Sequence, residues 1–259
     1  MNNQPIGIFD SGVGGLTIWQ HINEVLPKES TIYIADSINA PYGEKSTAEI
    51  KALSILSTER LLELGAKIIV VACNTATTSA IKHLRANFKV PFVGIEPATR
   101  PAAINTKTGK IGILATQGTL ASELFLNTSK QFRGSVEIFE TTGTGLVQIV
   151  ESGRFSEATP LLKDYLTPMI DAGVDNIVLG CTHYPFLKDV MKEIVPSSIT
   201  IIDSGHPLAK RTKNLINEYQ IHAYEANQPE HQILTSGNLE TLSTIISRFH
   251  NVKFHLGKF

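Results

Sequence analysis

The sequence predicts an α/β protein built from two similar parallel-sheet α/β domains related by pseudo-twofold symmetry, with a site in the cleft between them. Three observations predict it. Short, glycine-bounded, β-branched apolar runs alternate with helix-like stretches along the whole chain. The chain repeats itself: Ile6-Gly7-Ile8-Phe9 returns as Ile111-Gly112-Ile113-Leu114, and Gly65 to Cys73 returns as Gly173 to Cys181, at offsets of 105 and 108 residues. The only two cysteines in 259 residues stand at the ends of matching runs, and in open α/β sheets the carboxyl ends of strands are where ligands bind.

Each element follows in order. The strand Ile6 to Phe9 ends at Asp10-Ser11-Gly12-Val13-Gly14-Gly15, whose glycines let backbone amides approach an anion at a helix N-terminus. The dinucleotide pattern fails because Thr17 stands at its third glycine, and no phosphate-binding P-loop pattern occurs. A tight turn capped by Asp10 and Ser11 explains the segment equally well. The run Ile32 to Ala35 leads to Asp36 and then to Pro41-Tyr42-Gly43, a turn by itself and a candidate pocket loop. A helix over Glu49 to Leu64 ends at Gly65. The next strand delivers Cys73-Asn74-Thr75, followed by a helix and a strand over Pro91 to Ile95.

The second half repeats the plan. A helix over Thr159 to Ala172, kinked at Pro168, carries Leu162, Leu166 and Ile170 on one stripe and ends at Gly173. The strand behind it delivers Gly180-Cys181-Thr182-His183-Tyr184-Pro185, and a strand over Ile199 to Ile202 follows. Pro207 to Phe259 reads as an appendage of the first half: a helix over Leu208 to Tyr219, a polar loop over His222 to His231, and a last helix over Leu239 to Phe249. The domains are therefore 1–97 with 208–259, and 98–207. Their crossings near Glu96 to Arg100 and Asp203 to Pro207 make a hinge.

The whole-chain properties exclude several classes. With 23 basic and 24 acidic residues the net charge is −1, so no electrostatic case exists for nucleic acid or a membrane surface. The apolar runs are too short to span a bilayer, and the N-terminus has no signal-peptide pattern. The expected location is the cytoplasm, where thiols stay reduced.

The cysteine motifs allow several chemistries. Asn74 and Thr75 offer donors for a carboxylate and a cap for the following helix, and a thiol near that helix N-terminus is expected to favour its thiolate. His183, two residues from Cys181, suits a general acid–base partner. A metal site lacks a second close Cys or His pair, redox pairing lacks C-x-x-C, and a hydrolase needs one cysteine only. None of these explains a thiol repeated with the fold. Glu151 is a lone carboxylate before a loop, by default a surface residue.

Together, Asp10-Ser11-Gly12-Val13-Gly14-Gly15, Pro41-Tyr42-Gly43, Ala72-Cys73-Asn74-Thr75 and Gly180-Cys181-Thr182-His183-Tyr184-Pro185 resemble the bacterial glutamate racemases of the aspartate/glutamate racemase superfamily, in the family's order and from Ile6 to about Gly237. The resemblance implies cofactor-independent interconversion of L- and D-glutamate, supplying D-glutamate for peptidoglycan, with no metal. It implies Cys73 and Cys181 as the two catalytic bases, assisted by Asp10, His183 and Glu151, with Asp36 also near the site. Substrate contacts are implied for Asp10, Ser11, Pro41, Tyr42, Gly43, Asn74, Thr75, Thr182 and His183, with Thr116 and Thr119 added on the repeat counterpart of the Asp10 loop. The chain departs from the family at Ser37 and Asn39, and at Thr141-Thr142-Gly143-Thr144-Gly145 before Glu151. The partner implied is the small molecule alone, and family members are often dimers, so a homodimer is compatible. A racemase of aspartate or another amino acid, and a non-catalytic amino-acid-binding protein, remain as alternatives.

Overall fold

A computed structural model describes residues 1–249 and 252–259. The strands are β1 (Ile6–Asp10), β2 (Thr31–Ala35), β3 (Ile68–Val71), β4 (Phe92–Gly94), β5 (Lys110–Ala115), β6 (Glu137–Thr142), β7 (Asn176–Gly180), β8 (Thr200–Ile202), β9 (His231–Thr235) and β10 (His255–Lys258). They form two all-parallel sheets, in the orders β10-β9-β2-β1-β3-β4 and β6-β5-β7-β8. The repeat is visible in the pairing. β1 lies beside β3 in the first sheet as β5 lies beside β7 in the second, and each cysteine follows the second strand of its pair by one or two residues.

The helices are α1 (Leu16–Val25), α2 (Thr47–Glu63), α3 (Asn74–Asn87), α4 (Thr99–Asn105), α5 (Gln117–Leu120), α6 (Glu123–Lys130), α7 (Leu146–Glu151), α8 (Thr159–Asp171), α9 (Lys188–Lys192), α10 (Gly205–Glu218) and α11 (Leu239–Ile246). Local sequence explains their ends. Ser46 and Glu49 form a reciprocal capping box on α2. Gly65 and Gly173, just past α2 and α8, take φ of +86° and +80°, the left-handed conformation that closes a helix at little cost only for glycine.

The central strands β1, β2, β3 and β7 are buried along their full length, as expected of parallel strands covered on both faces. One apolar cluster runs from Ile6, Ile8, Val13 and Leu16 of the first half into Leu114, Leu146, Val147 and Leu179 of the second, so the two sheets share a continuous core. Trp19 is fully buried and its Nε1 donates to Thr31 Oγ1 at 2.8 Å. Among the described residues no helix is long and apolar enough to cross a membrane.

The C-terminal segment departs from the sequence reading. The polar stretch expected as a loop to His231 ends in β9, and β10 follows α11, so the first sheet has six strands among the described residues. β9 is polar at its buried ends because they are satisfied internally: His231 Nδ1 and Thr31 Oγ1 share a hydrogen bond at 2.8 Å. The helix expected from Leu208 begins earlier, at Gly205, where Asp203 Oδ1 accepts from the Gly205 amide at 2.7 Å. The helix expected to end at Phe249 ends at Ile246.

Candidate active site

Asp10 is the last residue of β1 and has no exposed surface. Its Oδ1 accepts from the Ser11 amide at 2.7 Å and the Ser11 hydroxyl at 3.3 Å, and its Oδ2 accepts from the Gly15 amide at 2.5 Å. The glycine-rich segment thus folds around the carboxylate, and the cap at α1 is Gly15 rather than a side chain. Burial raises the Asp10 pKa, against the pull of the His183 charge and of the hydrogen-bond donors around the carboxylate. Tyr33 lies beneath this loop and donates to the Gly12 carbonyl at 2.5 Å, a support that no pattern in the sequence signals.

Cys73 follows β3 and caps α3: its Sγ accepts from the Ala76 amide at 3.4 Å. Its thiol donates to Ser11 Oγ at 3.6 Å, so thiol, hydroxyl and the Asp10 carboxylate form a chain. The cap expected from Asn74 or Thr75 is therefore supplied by the sulfur. The expected thiolate preference is also reversed. Burial pushes the Cys73 thiol well above its ordinary range, and the Asp10 carboxylate adds to this; the Ala76 and Ser11 hydrogen bonds pull the other way and lose. One helix N-terminus does not outweigh full desolvation beside a carboxylate.

Cys181 follows β7, and its Sγ lies 3.7 Å from His183 Nδ1. The other ring nitrogen, Nε2, is 2.5 Å from Glu151 Oε1. Burial opposes charge on His183, yet the hydrogen bonds and charges of Cys181 and Glu151 outweigh it and raise the pKa well above 6.5. Glu151, expected by default on the surface, ends α7 with its side chain 16% exposed. Its Oε1 also accepts from the Val13 amide at 2.7 Å, and its Oε2 accepts from Ser37 Oγ at 2.8 Å. Both approaches are close: a Cβ on Gly12 would lie 1.8 Å from Glu151 Oε1 and displace that carboxylate, and one on Gly14 would lie 2.4 Å from His183 Nδ1.

The two halves meet through these motifs. Thr182 Oγ1 donates to Asp10 Oδ2 at 3.0 Å. On the other flank Thr75 Oγ1 lies 2.9 Å from Thr116 Oγ1 and 3.4 Å from Thr119 Oγ1, joining the first sheet's α3 to the second sheet's α5. Asn74 is 3% exposed, and its Nδ2 has no hydrogen-bond partner among the described residues, which leaves a buried donor free for a ligand. Beside Cys181 and Asn74 the free space is only about 10 Å³, room for about one water. A wider cleft of about 230 Å³ lies between the Pro41–Gly43 turn, Thr116 and the 142–148 segment.

Tyr42 is buried, and its phenol donates to Asp36 Oδ2 at 2.8 Å instead of facing open space. Asp36 also accepts from Asn39 Nδ2 and, at Oδ1, from Ser236 Oγ at 3.1 Å. It braces the loop that carries Ser37 and the Pro41–Gly43 turn. Among the described residues no group of three or more His, Cys, Asp and Glu side chains is gathered that could hold a metal ion.

What the arrangement offers chemically is two buried free thiols, one per sheet, each with its own polar partner: Asp10 through Ser11 for Cys73, and His183 with Glu151 for Cys181. Residues 6–212 match the family model described as Asp/Glu/Hydantoin racemase. A glutamate racemase of Herpetosiphon aurantiacus is 42% identical over 92% of this chain and 94% of its own length. Among solved structures, glutamate racemase isoform RacE1 from Bacillus anthracis superposes with a TM-score of 0.88 at 31% identity, covering 100% of this chain and 98% of that one. The Escherichia coli glutamate racemase in complex with L-glutamate and the activator UDP-MurNAc-Ala gives 0.86 at 32% identity, over 99% and 98%.

Proposed function

The chain belongs to the Asp/Glu/hydantoin racemase family and within it to the glutamate racemases, and on that premise we propose that it interconverts L- and D-glutamate by a two-base mechanism, without a cofactor, supplying D-glutamate for peptidoglycan. The observation that carries this reading is the placement of Cys73 and Cys181 at equivalent strand ends of two different sheets. Inverting a carbon takes a proton from one face and returns one to the other; two groups do this without turning the substrate, and a duplicated fold supplies one from each half.

In one direction Cys73 as thiolate takes the α-proton: the C–H bond breaks, the S–H bond forms, and the electron pair passes into the carboxylate. The Cys181 thiol then gives its proton to the opposite face and becomes the thiolate. In the reverse direction the roles exchange. Asp10 serves the Cys73 side through Ser11, and the His183–Glu151 pair serves the Cys181 side as an acid–base relay. The Asn74 amide, which has no partner among the described residues, is the first donor for the α-carboxylate as charge develops on it, and the hydroxyls of Ser11, Thr75 and Thr182 join it when the substrate draws them from their present partners. Pro41 and Gly43 form the cleft wall, Tyr42 braces their turn through Asp36, and Thr116 and Thr119 reach the substrate from the second half.

The close fit around the thiols requires the halves to part for glutamate to enter. We assign 1–97 with 208–259 to one moving half and 98–207 to the other. The crossings lie side by side, with Ser204 Oγ donating to the Glu96 carbonyl at 2.5 Å, which suits a hinge. Two buried reduced thiols fit the cytoplasm. A homodimer is carried over from the resemblance, and light scattering tests it.

The deciding experiment incubates the reduced protein with L-glutamate in heavy water without cofactor. Proton NMR follows the α-proton and chiral chromatography follows configuration. Loss of the α-proton together with appearance of D-glutamate is the expected result. Absence of both from folded protein, with turnover of aspartate instead, would move the substrate to aspartate.

A further inference from the structure

Ser37 lies outside every motif that carries the family resemblance, and its neighbourhood is built from three separate parts of the chain. Its hydroxyl donates to Glu151 Oε2 at 2.8 Å. The next residue is held from the C-terminal segment, where Ser236 Oγ accepts from the Ile38 amide and donates to Asp36 Oδ1, both at 3.1 Å. Gly237 lies directly against Ser37: a Cβ there would stand 2.8 Å from the Ser37 Cβ. The hydroxyl is thus aimed at Glu151 by the loop after β9, beyond the residues 6–212 of the family match.

Glu151 needs aiming. Its carboxylate borders a recess of about 170 Å³ lined by Val13, Ser37, Thr235, Gly237, Thr241 and Leu242, which leaves room for it to swing away from His183. Two of its three hydrogen-bond donors, Val13 N and Ser37 Oγ, belong to the first sheet's loops, whereas Glu151 itself and His183 belong to the second half. When the halves part, those two donors leave.

We propose that Ser37 is a positioning residue: by fastening Glu151 Oε2 it keeps Oε1 on His183 Nε2, so that the His183–Glu151 pair beside Cys181 is held only while the two halves are closed. The proposal rests on the reading of this cleft as a two-thiol racemase site, in which His183 serves Cys181. It adds that the acid–base state of the Cys181 side is set by domain closure. The charged or titratable groups facing His183 are Glu151 on α7, Cys181 after β7 and Asp10 at the end of β1; of these, Glu151 is the one Ser37 touches.

The test compares Ser37→Ala and Ser37→Thr with the unaltered protein. The ring nitrogens of His183 are titrated by ¹⁵N NMR without substrate, and kcat and KM are measured against pH in both directions. In Ser37→Ala the His183 pKa is expected to fall by about one pH unit, the low end of what an opposite charge in contact supplies. The pH limb of kcat should move with it while KM changes little, and Ser37→Thr should restore both. An unchanged His183 titration in Ser37→Ala overturns the proposal. So does a rise, the result expected if Ser37 only withdraws charge from a Glu151 already fixed in place, and so does a Ser37→Thr that behaves as Ser37→Ala. Should Ser37→Ala fail to fold, Gly237→Ala, which pushes Ser37 off its position, must give the same fall. The NMR titration needs no substrate, so it stands or falls separately from the assignment of glutamate.

Discussion

Thr182 of the second half donates to Asp10 of the first: Thr182 Oγ1 lies 3.0 Å from Asp10 Oδ2. The donor directly follows one cysteine, and the acceptor is linked through Ser11 to the other. The residue after one thiol therefore holds the carboxylate that serves the other when the halves are closed. Thr182→Val, which keeps the shape and removes the hydroxyl, should weaken both closure and carboxylate binding. A loss of about 1 kcal/mol, or several-fold in kcat/KM, is expected, with the same fold by circular dichroism.

Each thiol should be indispensable. Cys73→Ser and Cys181→Ser are each expected to lower racemisation by about 10²–10⁴-fold, the range of a positioned acid or base. Chiral chromatography from both enantiomers checks this. Near-normal two-way turnover by either variant rules out the two-base mechanism.

The His183 charge makes a signed prediction for stability. Its folded pKa lies above the unfolded value of about 6.5, so its contribution is fully present below about pH 6.5 and is lost as pH rises through the folded pKa. Urea unfolding of the unaltered protein and of His183→Asn across pH should show the largest difference at the acid end and a shrinking one in alkali. A difference that grows with pH would contradict the pairing with Glu151.

Gly12 faces Glu151 so closely that any side chain must displace the carboxylate. Gly12→Ala should cost only about 1 kcal/mol, the hydrogen bonds that a displaced Glu151 carboxylate gives up, and should reduce kcat with the loss of the His183–Glu151 contact. Calorimetry and steady-state kinetics separate the two effects.

A control lies far from the site. Lys67 and Glu29 form a buried pair at 2.5 Å, with side chains 2% and 3% exposed. Glu29 Oε1 also accepts from the Ala223 amide at 2.7 Å. Glu29→Gln leaves a buried cation without its counter-charge and should cost about 3 kcal/mol in urea unfolding. Turnover of the fraction still folded should be unchanged.

Much of this protein was determined by sequence alone, because its signals are local. β-branched runs bounded by glycine specify buried parallel strands, and the strand ends carry Asp10, Cys73 and Cys181 wherever those strands go. The duplication then places one thiol in each half. β9 and β10 were not legible for a physical reason. β9 buries His231 and Thr235 beside Ile233, satisfied only by contacts such as that with Thr31, and β10 is a largely exposed edge strand; pairing with a neighbour, not hydrophobic period, makes both. Tertiary structure alone decided the electrostatics. Cys73 sits at a helix N-terminus that favours a thiolate, yet burial beside Asp10 raises its pKa. Glu151 reads as a surface carboxylate until Val13, Ser37 and His183, distant in the chain, converge on it. Desolvation and charge pairing depend on what surrounds a group in space, and that is settled only when the two sheets close on each other.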